Sequence, residues 1–447
     1  RDIAPRVLAD EMSGYFPAMT HALNISNDRF IRTTEPDHYA ASQALWRAME
    51  ANGDIYLGRY EGWYSVRDEA FYDEKELIDG EGGARLSPQG TPVEWTVEES
   101  WFFRLSAFAD RLLAHYEAHP DFIQPEGRRN EVLSFVRGGL SDLSISRTSF
   151  DWGVPVPGAD GHVMYVWVDA LTNYLTAAGY PDDAKGYERM WPADLHVIGK
   201  DIVRFHAVYW PAFLLSAGLR LPGRIFGHGF LLNRGEKMSK SVGNVVDPIA
   251  MAETYGVDQL RYFLLREVSF GQDGSYSHDA IVTRSNADLA NGLGNLAQRC
   301  LSMIAKNCEG RVPAPGPLSV RTELPILNEI EGVLASDMER LALHEALEHI
   351  WAVVREANGY FADKAPWALR KTDPAAADHI LYITAEIVRR LAILVRWAIP
   401  ASADALLDLL AQPADARTLA HLDTPLEPGI ALPPPQGIFP RWVEPAA

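Results

Sequence analysis

Gly235-Glu236-Lys237-Met238-Ser239-Lys240-Ser241-Val242-Gly243-Asn244 is the stretch on which the reading of this chain turns. It sets two lysines and two serines between glycines. A lysine ammonium on its flexible stem can follow a moving polyphosphate. The hydroxyls of Ser239 and Ser241 add donors, and Gly235 and Gly243 permit motion. Such a loop can stabilise charge that builds on a departing pyrophosphate. By itself the pentapeptide Lys237–Ser241 also fits a solvated Lys/Ser turn, so its surroundings have to decide.

Upstream of the loop, apolar runs alternate with helical spacing. Val163-Met164-Tyr165-Val166-Trp167-Val168 reads as a buried strand, and Asp169 to Ala178 as the helix after it. Leu195-His196-Val197-Ile198 is a second run that ends at Gly199, with a helix from Ile202 to Ala217 behind it. Arg224 to Leu232 is a third strand. This alternation predicts a parallel α/β sheet, in which ligands sit at the carboxyl ends of strands. Trp167 to Asp169 and Gly199 to Asp201 fall at those ends.

Residues 1–50 carry helical spacing, with Val7, Leu8, Met12, Tyr15, Phe16 and Met19 as one apolar face. Residues 53–99 are dense in Tyr, Trp, Gly and acidic residues and in turn signals, which predicts a small β-rich insertion. Residues 101–140 return to helical spacing, and the chain is nearly all helical from Asp279 onward. Leu289, Leu293, Leu296, Cys300 and Met303 make one stripe there, and Ile330, Leu334, Met338 and Leu341 another.

A chain of 447 residues is too long for one ordinary core, so two or three domains are expected. Lys plus Arg number 41 against 60 Asp plus Glu, a net charge of −19, which argues against a general nucleic-acid coat but allows a local basic site. Lys364, Arg370 and Lys371 supply such a patch. No apolar run is long enough to span a bilayer, because Glu386, Arg389, Arg390 and Arg396 interrupt Ile380 to Ile399. The two cysteines, Cys300 and Cys308, form no Cys-x-x-Cys pair and fit a reducing cytoplasm. The N-terminus has neither a signal-peptide pattern nor an initiator Met.

The loop and its flanks, Gly227-His228-Gly229-Phe230 before and Val245-Val246-Asp247-Pro248 after, are similar to the second ATP signature of class I aminoacyl-tRNA synthetases. The chain as a whole resembles the methionyl-tRNA synthetases. Leu23-Asn24-Ile25-Ser26-Asn27-Asp28 with Thr33-Thr34-Glu35, and Asp142-Leu143-Ser144-Ile145-Ser146-Arg147, match family segments. The resemblance implies a methionine pocket of Trp167, Ala170, Leu171, Tyr174, Ile202, His206 and Trp210. An unbranched thioether suits an aromatic, adaptable wall, with Tyr174 OH and a His206 nitrogen to meet the sulfur. It implies a ribose-binding pair in Gly199 and Asp201, and ATP contacts at His228, Gly229, Lys237, Met238, Ser239, Lys240 and Ser241, with Lys237 and Lys240 as catalytic phosphate handlers. It implies anticodon reading by Asn295, Arg299 and Trp367. On residue type alone, Trp167 and Trp210 also fit core packing, His206 a satisfied core histidine, Asp201 a helix N-cap, and Asn295/Arg299 a surface pair.

The expected fold class is therefore α/β. It comprises a Rossmann-like class I catalytic domain lacking its front part (1–52 and 106–235), a knuckle insertion (53–105), a phosphate-loop and stem-contact region (236–278), an all-α anticodon-binding bundle (279–420) and a tail (421–447). The implied reaction uses ATP with Mg²⁺, L-methionine and tRNA(Met), in a cytoplasmic monomer without a membrane partner; the alternatives are a non-catalytic tRNA-binding fragment or another class I synthetase specificity. Two departures stand out. Many relatives hold zinc on Cys-x-x-Cys pairs in the knuckle, but Ser65 and Asp68 stand at cysteine positions here, so no zinc is expected. Tyr56, Tyr60, Trp63, Phe71 and Trp95 are expected to hold the knuckle instead. The family's first ATP signature, a His-x-Gly-His string, does not occur, nor does the Asp the resemblance implies for the substrate's ammonium group, so these residues alone are expected to catalyse adenylation poorly.

Overall fold

The computed structural model describes residues 3–68, 70–80, 83–233, 235–238 and 243–443, with side chains at all of these but 60, 70, 71 and 98. Ser239, Lys240 and Ser241 of the phosphate loop lie outside the described residues, as do the side chains of Tyr60 and Phe71. The chain folds as two units. One holds residues up to Asp10 and Asn27–His228, and the other holds Glu11–Ser26 and everything from Gly229.

In the first unit, Leu195–Gly199 pairs in parallel with Arg224–His228, and that strand pairs in parallel with Ile123–Gln124. The register sets Gly199 opposite His228, both at carboxyl ends. This is the expected parallel sheet with one change of membership. Val163–Met164 is only two residues long and pairs antiparallel with Ser146–Arg147, outside that sheet. The helix begins at Val166 and runs to Ala177, so Trp167 lies in its first turn rather than at a strand end. The apolar run misled because buried strands and buried helix starts look alike over a few residues. The 3-4 spacing of Asp169, Thr172 and Thr176 carries the helical signal. Around the sheet, Leu45, Trp46 and Met49 of the helix Pro36–Ala51 pack with Phe103, Phe108, Tyr116, Val168 and Phe213 in one core.

The insertion is a long antiparallel ribbon. Ile55–Ser65 pairs with Glu94–Phe103 from Ile55↔Phe103 to Tyr64↔Glu94, and Ala70–Tyr72 and Leu143–Ser144 extend it. Trp63 and Trp95 meet edge to face at 5.6 Å, and Tyr56 stacks on Phe102 at 5.5 Å. The tip is pinned by polar groups. The Asp68 carboxylate accepts from Ser87 Oγ at 2.7 Å, from Tyr72 OH at 3.1 Å and from Thr91 Oγ1, while Ser65 Oγ bonds Thr91 Oγ1 at 2.7 Å.

In the second unit, Leu231–Asn233 pairs with both Glu236–Lys237 and Gly274–Tyr276. The helices from Ser285 onward share one large apolar core, while Ile281 of the helix His278–Arg284 packs in a smaller one with Met251, Leu260 and Phe263. Leu289, Leu293, Leu296 and Cys300 are fully buried in it, as their spacing required. The helical path there is not uniform, since Ser285–Gly294 is a π-helical stretch that leads into Asn295–Asn307. The face expected on the first helices is different: Val7, Met12, Tyr15 and Phe16 are exposed.

Candidate functional site

The helix Val166–Ala177 and the segment after strand Leu195–Gly199 build an aromatic cage. Trp167 stacks face to face on Phe205 at 3.8 Å. Tyr174 stacks on His196 at 3.9 Å and lies 6.1 Å from the Trp210 ring. Leu171 is buried, and Ala170 and Ile202 are half-buried. Phe205–Tyr209 is π-helical, a distortion that often marks functional sites.

Hydrogen bonds fix the protons in the cage. His206 Nδ1 lies 3.0 Å from Ile202 O, a pure acceptor, so Nδ1 carries the hydrogen. Nε2 of His206 is then bare and accepts from Tyr174 OH at 2.7 Å. Trp210 Nε1–H donates to His196 Nε2 at 3.3 Å. Burial pushes the His196 imidazolium down to about 3, holds His206 below the ordinary histidine value against its bond to Ile202, and lifts Tyr174 to about 12. The cage is thus neutral at physiological pH. Sequence reasoning placed Tyr174 OH and a His206 nitrogen side by side against a sulfur. In the structure the two bond each other, so His206 orients the Tyr174 hydroxyl. Phe205 and His196 were not among the expected residues; their place after and within the Leu195–Ile198 run was the available signal.

Gly199 ends its strand and occupies the N-cap of the short turn Lys200–Ile202, so Asp201 is not that cap. A Cβ on Gly199 would lie 2.6 Å from Asp201 Oδ1. The backbone there is bare and edged by an exposed carboxylate, an arrangement that suits a diol. His228 stands beside Gly199 across the parallel register.

In the second unit, Gly229 passes so close to Gln272 that a Cβ would come within 2.1 Å of its carbonyl oxygen. The hairpin Leu231–Asn233/Glu236–Lys237 delivers Lys237, whose Nζ lies 4.4 Å from the Phe230 ring centre. Asn244 Nδ2 donates to Lys237 O at 3.2 Å, and Asn233 Nδ2 donates to Asn244 O at 2.8 Å, which ties the two stems of the loop together.

Farther along, Arg299 and Trp367 come together. The guanidinium lies 5.3 Å from the Trp367 ring and 4.9 Å from Phe361. Ala365 ends the helix Leu343–Lys364 with φ of 41°, a left-handed conformation costly for alanine, and Pro366 then starts a new turn. That reversal leaves Trp367 46% exposed. Asn295, exposed at the first turn of Asn295–Asn307, follows the π-helical stretch. The Arg299 fork and an indole plane outside the core suit a base released from a stack.

Comparison with known proteins identifies the family. Residues 1–301 match the family model for tRNA synthetases class I (M), and residues 317–444 that for the anticodon binding domain of methionyl tRNA ligase. The methionine–tRNA ligase of Mesorhizobium japonicum is 64% identical over 447 residues, 99% of this chain and 86% of the relative. That of Mycobacterium tuberculosis is 61% identical over 449 residues, 98% and 86% respectively. The solved structure of Mycobacterium tuberculosis methionyl-tRNA synthetase in complex with methionyl-adenylate superposes with a TM-score of 0.95 at 60% identity, covering 98% of this chain and 88% of that one. The chain belongs to the class I methionyl-tRNA synthetase family.

Proposed function

We propose that the aromatic cage holds the methionine side chain, that Gly199, Asp201 and His228 meet the adenosine end of ATP, and that Lys237, with Lys240, handles its phosphates. As a methionine–tRNA ligase, the enzyme joins two transfers. A carboxylate oxygen of methionine attacks the α-phosphorus of ATP, and pyrophosphate leaves with the bonding pair. A terminal ribose hydroxyl of tRNA(Met) then attacks the methionyl carbonyl, and AMP leaves. Neither step needs a covalent enzyme intermediate, so the protein contributes positioning and charge stabilisation. Mg²⁺ enters with ATP as part of the substrate and screens the polyphosphate charge.

The observation that carries the reading is the chain Tyr174–His206–Ile202. It commits the Tyr174 hydroxyl and the His206 Nδ1 hydrogen to internal acceptors and leaves a neutral, polarisable wall around one oriented hydroxyl oxygen. A thioether is met well there, whereas an ammonium or carboxylate would be stranded. Methionine-dependent ATP–pyrophosphate exchange and charging of tRNA(Met) by the full-length enzyme test it. Exchange supported equally by leucine or isoleucine would overturn it.

Asn295, Arg299 and Trp367 read the CAU anticodon in this proposal. The enzyme works as a cytoplasmic monomer in this proposal. Among the described residues no helix is long and apolar enough to cross a membrane. The knuckle is metal-free. Its tip offers hydroxyls of Ser65, Ser87 and Thr91 with a single carboxylate, already bonded to one another, and this set does not fit a tetrahedral zinc site. Stoichiometric zinc in the purified protein, measured by mass spectrometry, would contradict this.

A further inference from the structure

The helix Val166–Ala177 has two faces. At 100° per residue, Trp167, Ala170, Leu171 and Tyr174 fall on one side and Asp169, Thr172 and Thr176 on the other. The second side faces the helix Pro36–Ala51 and meets two polar side chains there, His38 and Ser42, each fully buried. His38 Nε2 lies 2.6 Å from Asp169 Oδ1, and Nδ1 lies 2.9 Å from Thr176 Oγ1. Ser42 Oγ comes within 3.3 Å of Nε2. Thr172 Oγ1 returns its hydrogen to Val168 O. A carboxylate only accepts, so the Nε2 hydrogen points at Asp169.

The surrounding contacts between these helices are apolar, made by Leu45, Trp46, Val168 and Leu175. Apolar packing of the right volume tolerates small rotations and slips. A buried, directional hydrogen bond does not, because turning the helix leaves a donor and a carboxylate unpaired in a dry interior. The bond lies in the first turn of the helix, one residue before Ala170 and two after Trp167.

We infer that His38 is a positioning residue for the amino-acid pocket: by holding Asp169 it sets the rotation of the helix that presents Trp167, Ala170, Leu171 and Tyr174. The inference rests on the methionine-pocket reading above. The hydrogen bonds of His38 go to Asp169, Thr176 and Ser42, none of them a cage residue.

Side-chain isosteres test it. The amide nitrogen of Gln falls near the histidine Nε2 position and that of Asn near Nδ1. H38Q therefore keeps the donor to Asp169, and H38N keeps only the side toward Thr176. In ATP–pyrophosphate exchange by the full-length enzyme, H38N raises KM for methionine by roughly tenfold, the size of one lost charge-assisted hydrogen bond. KM for ATP stays unchanged, and H38Q recovers most of the loss. D169A, at a half-buried position where truncation leaves little cavity, reproduces the H38N effect even where H38N folds poorly. The double variant is no worse than either single one, because both remove the same bond. Equal effects of H38N and H38Q, equal rises in both KM values, or additive losses in the double variant would overturn the inference. Y174F separates the two levels. If it raises methionine KM while H38N and D169A do not, only the role of His38 fails. If Y174F itself leaves methionine KM untouched, the pocket reading fails.

Discussion

The cage around Tyr174 and the Arg299–Trp367 surface are both aromatic, yet they are built on opposite physical terms. In the cage, Trp210 and His206 are buried, and the Trp210 indole N–H, the His206 Nδ1–H and the Tyr174 hydroxyl all donate to internal acceptors. Selectivity there comes from shape, polarisability and the penalty for bringing in a group that nothing satisfies. At the second site the indole of Trp367 is half in water, and the guanidinium beside it keeps donors for a guest. Selectivity there comes from stacking and edge contacts that an RNA base can leave as readily as it enters. A ligand of a few heavy atoms needs the first design, and a loop of a macromolecule already anchored elsewhere can use the second.

The largest expected effect breaks the second region alone. Trp367→Ala removes the stacking plane and the partner of Arg299. Stacking of one base on an aromatic side chain contributes about 1–3 kcal/mol, so kcat/KM for charging tRNA(Met) falls by up to roughly a hundredfold. Methionine-dependent ATP–pyrophosphate exchange stays at the wild-type level. Charging kinetics untouched by the substitution would show that the indole reads nothing.

The two regions also differed in how far the sequence revealed them. Arg299 and Trp367 are far apart in the chain, and residue type with family resemblance singled out both. What made their meeting possible was hidden: the left-handed Ala365 and the π-helical Ser285–Gly294 have no periodic signature, since alanine disfavours the first and the second breaks the 3.6-residue repeat. In the pocket, resemblance named Tyr174, His206 and Trp210, while the way their protons are shared follows only from distances. The strand expected across Val163–Val168 was shorter than its apolar run, and the edge strand Ile123–Gln124 was too short for alternation to show. The tip of the insertion was expected to rest on aromatics. Trp63–Trp95 does contribute, but the polar cluster around Asp68 could not be read, because its members come from two separate turns, with Ser65, Asp68 and Tyr72 on one and Ser87 and Thr91 on the other.

The next prediction breaks the pocket alone. Tyr174→Phe keeps the ring on His196 but removes the hydroxyl, leaving His206 Nε2 buried without a donor. An unsatisfied buried acceptor costs about 1–3 kcal/mol, part of it offset by relaxation in the free enzyme. KM for methionine then rises by roughly tenfold with KM for ATP and the anticodon response unchanged. Initial rates of exchange at varied methionine check this, and a change confined to ATP would remove Tyr174 from the pocket.

The smallest expected effect lies in the insertion, which has neither design and is clasped by the buried hydroxyls of Ser65, Ser87 and Thr91 around Asp68. Burial pushes the Asp68 carboxyl up, but the hydroxyls of Thr91, Ser87, Tyr72 and Ser65 outweigh it and hold it below the ordinary carboxylate value. A depressed folded value means that the unfolded tip binds a proton first. The stabilisation is therefore fully present above the unfolded carboxylate pKa, near about 4, and is lost as pH falls through the lower folded value. Amide exchange along Ile55–Ser65 and Glu94–Phe103 should show opening that is independent of pH from 8 to about 5, once intrinsic exchange is corrected, and easier below that. Asp68→Ala opens the ribbon more readily at neutral pH and removes the acid-dependent change. If the variant keeps the acid response, some other carboxylate holds the tip, and the hydroxyl cluster is a consequence of the ribbon's fold rather than its clasp.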